Sequence, residues 1–255
     1  MRTTNEDLLH RVEAICRQAG AAVLDVYDSD FEVRGKADAS PVTAADERAE
    51  AIITPALAAL TPDIPVVAEE AVSGGVMPDI SSGCFWLVDP LDGTKEFISR
   101  NGEFTVNIAL IEQGVPVLGV VFAPALDRLF SGGVGLGAWL EDADGRRPIC
   151  CRPVPDEGLS VVASRSHGDA AELEAFLAGR KVAALVSAGS SLKLCLVAAG
   201  HADLYPRLGR TMEWDIAAGD AVLRAAGGLV RCVGNDEPLR YGKPGLDNSH
   251  FYASA

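Results

Sequence analysis

The chain opens with apolar residues at helical spacing: Leu8, Leu9, Val12, Ile15, Cys16, Ala19, Ala22, Val23 and Val26. Steps of three and four keep them on one face, which predicts a helix from about 5 to 27. After a polar loop, "PVTAADERAEAIITPALAAL" predicts a second helix from about 44 to 60, with Pro41 and Thr43 as entry residues. The period then shortens. "IPVVAEE" and "CFWLVDP" read as short strands near 64 to 69 and 84 to 89. "FTVNIALIEQGVPVLGVVFAPA" reads as a hairpin turning at Gln113 and Gly114, and "RLFSGG" and "GAWLED" add two strands.

In "CCRPVPDEG", residues 150 to 158, the apolar period lapses among prolines and charges. A boundary is expected there, separating an N-terminal α+β domain (1–153) from a C-terminal α/β domain (154–255). Beyond it strands and helices alternate: "LSVVAS", a helix from about 169 to 178, "KVAALVS", "SSLKLCLVAAG", "ADLYP", "WDIAAGDAVLRAAGG" and "LVRC".

With 255 residues, 48% of them hydrophobic, the chain can bury a substantial core. A net charge of -14 argues against a general nucleic-acid binder, which needs a basic face. It leaves room for a small anionic ligand, because metal ions can supply positive charge locally. The six cysteines form no CxxC pair and suit a reducing compartment. The N-terminal pattern is broken by charge rather than forming a signal core, and no apolar run approaches the roughly 20 residues of a membrane span. These features read as a soluble, cytoplasmic protein.

The candidate chemistry begins in "FWLVDPLDGTKEF", where an apolar strand runs straight into Asp89 and Asp92. Carboxylates at the mouth of a buried strand are costly unless their charge is cancelled. Pro, Asp and Gly are also turn residues, so a plain turn is the competing reading. Glu69 and Glu70 close another apolar strand and Asp215 opens a helix, so three acidic element ends can converge. Packed carboxylates raise one another's pKa, and hard divalent cations such as Mg2+ relieve that penalty through oxygen ligands. The Leu91 carbonyl is a further candidate oxygen, and Gly93 and Thr94 start a helical turn whose free N–H groups suit an anionic oxygen. With no covalent nucleophile in sight, water is the expected attacker, with Thr94 and Asp46 as its orienting pair.

"DPLDGTKEF" together with "WDIAAGDAVLRAAGG" resembles the paired signatures of the inositol monophosphatase superfamily, and the likeness runs through nearly the whole chain. The resemblance implies a layered αβαβα sandwich and a Mg2+-dependent, lithium-sensitive phosphatase using two or three ions. "DGTKEF", "SPVTAAD", "SRSH", "GSSLKLCLVAAGHADLYPR" and "TMEWD" are similar to the 3'(2'),5'-bisphosphate nucleotidases of the CysQ type. Those enzymes remove the 3'-phosphate of 3'-phosphoadenosine 5'-phosphate, a by-product of sulfate activation. An inositol monophosphatase or fructose-1,6-bisphosphatase on the same scaffold is the alternative.

The resemblance implies Glu69, Asp89, Asp92 and Asp215 as metal ligands, with the Leu91 carbonyl. It implies Asp46 and Thr94 as the pair that activates water, and Gly93 and Thr94 as holders of the phosphoryl oxygens. His167, Ser190, Lys193 and Arg207 would hold the nucleotide, and family habit implies a homodimer. Each has a plain counterpart. Asp46 stands three after Thr43, the spacing of a capping box. His167 lies in a polar loop, Lys193 fits an ordinary surface lysine, and Arg207 fits a salt bridge.

Overall fold

The computed structural model describes residues 6–35, 41–164 and 170–255. The first elements are α1 (Glu6–Tyr27), a small ribbon of β1 (Arg34–Gly35) and β2 (Pro41–Val42), α2 (Ala44–Leu60), β3 (Val66–Ala68) and α3 (Glu69–Ser73). Next come β4 (Cys84–Asp92), α4 (Thr94–Ile98), β5 (Thr105–Glu112), β6 (Val115–Ala123), β7 (Arg128–Gly133), β8 (Gly137–Asp142) and β9 (Gly145–Ile149). The remainder is β10 (Leu159–Ser164), α5 (Ala170–Leu177), β11 (Val182–Ala188), α6 (Leu192–Ala198), β12 (Leu204–Arg207), α7 (Glu213–Ala225), β13 (Leu229–Cys232) and β14 (Phe251–Ser254).

Strands β3 to β9 form a seven-stranded sheet in chain order, parallel only between β3 and β4. The five-stranded sheet runs β11-β10-β12-β14-β13. Successive residues of a strand face opposite ways. In β4 and β5, Trp86, Val88 and Ile108 therefore join the core under α1 and α2, while Phe85, Leu87, Ala109 and Ile111 join the core with α6 and α7. Both faces are covered, which is why these strands read as unbroken apolar runs. On the far side of the second sheet, Phe176 of α5 meets the Tyr252 ring of β14 at 5.8 Å, opposite the inward-facing Phe251. The result is the expected five-layered αβαβα sandwich.

One contact shows how tightly the middle layer is set. A Cβ at Gly119 of β6 would lie 2.3 Å from the Ala218 carbonyl oxygen, so only glycine lets α7 lie this close to the sheet. That approach places the start of α7, and Asp215 with it, over the ends of β4 and β5.

The pattern did not predict β9 or β14. "GRRPI" is a polar edge strand with little apolar signal, and "FYAS" gains its place only by pairing antiparallel with both β12 and β13. The strand expected to reach Glu69 stops at Ala68. There the Glu50 carboxylate accepts the N–H groups of Glu70 (2.8 Å) and Ala71 (2.9 Å), and the chain turns into α3. Among the described residues no helix is long and apolar enough to cross a membrane.

Candidate active site

The D-P-L-D corner is a bulge. Register along β4 and β5 shifts between Asp89 and Asp92, and such an extra-residue kink re-aims side chains at a strand end. Asp89 Oδ1 accepts the Leu91 N–H at 3.0 Å, and Gly93 then takes a left-handed conformation (φ 86°) to start α4. A side chain there would be strained and would also crowd Ser190, whose Cβ lies 3.2 Å from the position of a Cβ at 93. The D-G-T corner and the Ser190 turn are thus built against each other.

A cavity of 270 Å³ opens at this corner. Its lining brings together eight residues singled out in the sequence: Glu69, Asp92, Gly93, Thr94, Ser190, Lys193, Arg207 and Asp215. Three separate elements deliver the three acids that the sequence singled out. Glu69 is the first residue of α3, Asp92 the last of β4, and Asp215 lies in the first turn of α7. Asp92 Oδ2 accepts the Ser191 N–H at 2.6 Å, and Asp215 Oδ2 accepts the Met212 N–H at 2.9 Å. Asp89, Leu91 and Asp46 are each 1% exposed and do not belong to the lining. His167 lies outside the described residues.

The acids share one electrostatic environment. Burial first, then the charges of Glu69, Asp92, Asp215 and Asp46, hold the Asp89 carboxyl well above the usual range. Asp92 is pushed up to about 6, mainly by burial and against the pull of Lys193, while Asp215 is raised by burial and by Asp92 and Glu69. Lys193, only 5% exposed, is pushed down to about 8 by burial, with Asp92 opposing that shift.

As the side chains stand, no three His, Cys, Asp or Glu among the described residues close into a ready cage for an ion. The donor set still fits a hard divalent cation: it is all oxygen, and its acids pay mutual repulsion that such a charge removes.

The accessory residues are less simple than the sequence suggested. Asp46 completes the capping box of α2, accepting from the Thr43 N–H (2.8 Å) and hydroxyl (2.9 Å). The Thr94 hydroxyl points to the Leu91 carbonyl at 3.4 Å. Lys193 is not a surface lysine. Its Nζ donates to the carbonyls of Ser190 (2.6 Å) and Ala188 (3.3 Å) and stands 5.4 Å from the centre of the Tyr205 ring. Arg207 Nη2 donates to the Arg210 carbonyl at 3.0 Å.

Sequence reasoning missed Glu96, Ser191, Tyr205, Arg210 and Thr211, which also line the cavity. Glu96 was inside the quoted "DGTKEF", Ser191 and Tyr205 inside "GSSLKLCLVAAGHADLYPR" and Thr211 inside "TMEWD", which Arg210 directly precedes. Membership of those motifs, or adjacency to them for Arg210, was the available signal.

Fold and site together define a layered α/β phosphatase whose acids come from distant chain segments. The inositol monophosphatase family model matches residues 5–252, and the chain belongs to that family, whose members are generally metal-dependent phosphatases. It is 50% identical over 225 residues to the 3'(2'),5'-bisphosphate nucleotidase CysQ of Escherichia coli (strain K12), covering 88% of this chain and 89% of that protein. The protein of the same name from Buchnera aphidicola is 41% identical over 253 residues, 97% of this chain and 94% of its own. The crystal structure of CysQ from Bacteroides thetaiotaomicron superposes with a TM-score of 0.83 at 39% identity, covering 99% and 98% of the two chains. An inositol monophosphatase from Anabaena (Nostoc) sp. PCC 7120 gives 0.78 at 28% identity, with 99% and 92% covered.

Proposed function

We propose that this chain is a Mg2+-dependent 3'(2'),5'-bisphosphate nucleotidase that hydrolyses the 3'-phosphate of 3'-phosphoadenosine 5'-phosphate to leave AMP, in sulfur assimilation. The observation that carries the reading is the single cavity in which Glu69, Asp92 and Asp215 meet Lys193 and Arg207. The acids suit cations, and the basic groups beside them suit the anionic remainder of a nucleotide. The half-identical relatives that bear this activity in their name support the substrate.

In this reading Glu69, Asp89, Asp92, Asp215 and the Leu91 carbonyl hold two or three Mg2+ ions. A divalent ion bound there supplies Lewis acidity to the phosphoryl group and acidifies water. The chain's own part is orientation and proton handling. Thr94 and Asp46 align the attacking water and accept its proton, Asp46 being already fixed in place by its cap on α2. Gly93 and Thr94 face the phosphoryl oxygens, where preorganised donors count most as charge develops.

Ser190, Lys193 and Arg207, with His167, hold the rest of the nucleotide. The substrate lies between a metal-bearing half (1–153), to which Asp215 is lent from the other side, and a specificity-bearing half (154–255). The enzyme is lithium-sensitive and works in the cytoplasm as a homodimer, on a small nucleotide and not on nucleic acid.

The test is phosphate release with Mg2+ from adenosine 3',5'-bisphosphate and inositol 1-phosphate side by side. Preference for the bisphosphate is expected. Preference for inositol 1-phosphate would move the chain to the inositol monophosphatase activity of its more distant structural relatives.

A further inference from the structure

We infer that Ser191 is a positioning residue that ties the nucleotide-side turn, with Ser190 and Lys193, to the metal-side carboxylate of Asp92. The inference rests on the phosphatase reading of the cavity. Ser191 is 3% exposed; its carbonyl accepts the Leu194 N–H at 3.0 Å, while its N–H and hydroxyl reach toward β4 and β5. Its N–H donates to Asp92 Oδ2 at 2.6 Å, its hydroxyl donates to Asn107 Oδ1 at 2.7 Å, and the Thr105 hydroxyl lies 2.9 Å away. A hydroxyl has one proton to give, so with that proton on Asn107 it is Thr105 that donates to Ser191.

Register explains why the clamp sits here. Across β4 and β5, Thr105 pairs with Asp92 and Asn107 pairs with Asp89. Thr105 and Asn107 of β5 thus stand opposite the two acids of β4, and the Ser191 hydroxyl spans both. Thr105 and Asn107 are 0% and 1% exposed. Three buried polar side chains are costly unless bonded to one another, and apolar side chains would fill the same space without that cost. What the polar set adds is direction.

The Ser190 turn is held in a left-handed conformation (φ 45°) that a side chain adopts only when its surroundings fix it. The Ser191 bonds fix one end of that turn, and Lys193 fixes the other by donating to the carbonyls of Ser190 and Ala188. Substrate contacts and Asp92 are therefore set by one unit. Loosening it displaces both together, where a purely structural residue would lower stability alone.

Two near-isosteric deletions test this, Ser191→Ala and Thr105→Val, with Thr105→Ser as the variant that keeps the hydroxyl. Mg2+ affinity is read by calorimetry on the protein without substrate, and KM and kcat with adenosine 3',5'-bisphosphate. Groups that orient metal ligands are worth roughly 10–100-fold in affinity or activity. The expected result is Mg2+ binding about tenfold weaker and KM raised in step for Ser191→Ala and Thr105→Val, with Thr105→Ser close to the unaltered protein. Mg2+ affinity and KM within about twofold of the unaltered protein in both deletions would overturn the clamp, as would Thr105→Ser behaving like Thr105→Val. Failure of the unaltered protein to release phosphate, with Mg2+ affinity still lost in the deletions, would sink the phosphatase reading and leave the clamp standing.

Discussion

Lys243 and Glu213 form an ion pair at the foot of α7, with Nζ 2.6 Å from Oε1 and no exposed surface on the glutamate side chain. The Glu213 carboxylate also accepts the N–H groups of Gly242 (2.6 Å) and Lys243 (3.0 Å). Asn248 adds bonds to the Met212 carbonyl (2.7 Å) and the Thr211 hydroxyl (3.2 Å), so the segment entering α7 is held from two sides. Asp215 sits two residues beyond Glu213, within the same turn.

The two partners of this pair are not equivalent in cost. Glu213→Ala leaves two backbone donors without their acceptor, while the ammonium keeps the Arg240 carbonyl (2.6 Å) and Asn248 Oδ1 (3.2 Å), a loss worth about 2–5 kcal/mol. Lys243→Met leaves the carboxylate its two N–H donors and is expected to cost about 1–3 kcal/mol. Urea unfolding measures both, and an equal or reversed order would show that the loop is held by something else.

Asp89→Asn separates stability from turnover. An aspartate titrates near 3.9 in an unfolded chain, and burial beside other acids raises Asp89 in the folded one. The native state therefore holds this proton more tightly than the unfolded state does. Its contribution is fully present below the unfolded value and is lost as pH rises through the folded one. Asparagine stays neutral and keeps the Oδ1 that accepts from Leu91. In the presence of a chelator, Asp89→Asn is expected to be more stable at pH 7 by about 1 kcal/mol, with the gain vanishing below about pH 4. Its turnover with Mg2+ is expected to fall by 10²-fold or more, on the order of losing one transition-state contact. A variant that loses stability at pH 7 in thermal melts would contradict the electrostatic account.

The sequence disclosed what depends on short-range pattern. Helical spacing gave α1 and α2, and unbroken apolar runs gave β4 to β6, because each of those strands buries both faces. It could not give β14, whose "FYAS" earns strand status only from neighbours some 20 and 45 positions upstream in the register. At the site, the acids were visible as charge where apolar runs end. Ser191 was not, since one hydroxyl beside another carries no sign of which will be buried. Lys193 looked exposed because Leu192 and Leu194 flank it. The structure buries all three, since α6 lies between two sheets and has no solvent side there.

That burial makes Lys193 pH-sensitive near neutrality. A lysine ordinarily titrates near 10.4, and here burial brings it down to about 8 despite the attraction of Asp92. The phosphate groups of a nucleotide are fully ionised by that pH, so between pH 7 and 9 the substrate hardly changes while the ammonium is lost. Below about 8 the lysine is charged and attracts the anion; above it the neutral amine does not. KM for adenosine 3',5'-bisphosphate is therefore expected to climb severalfold from pH 7 to 9. Lys193→Met should raise KM at pH 7 by roughly tenfold, the worth of one charge-assisted hydrogen bond, and flatten the climb. Lys193→Arg, which stays charged throughout, should flatten it from the other side, at whatever KM its bulkier fork allows. A KM that rises with pH as steeply in Lys193→Met as in the unaltered protein would assign the titration to another group and leave Lys193 as the pin of the Ser190 turn alone.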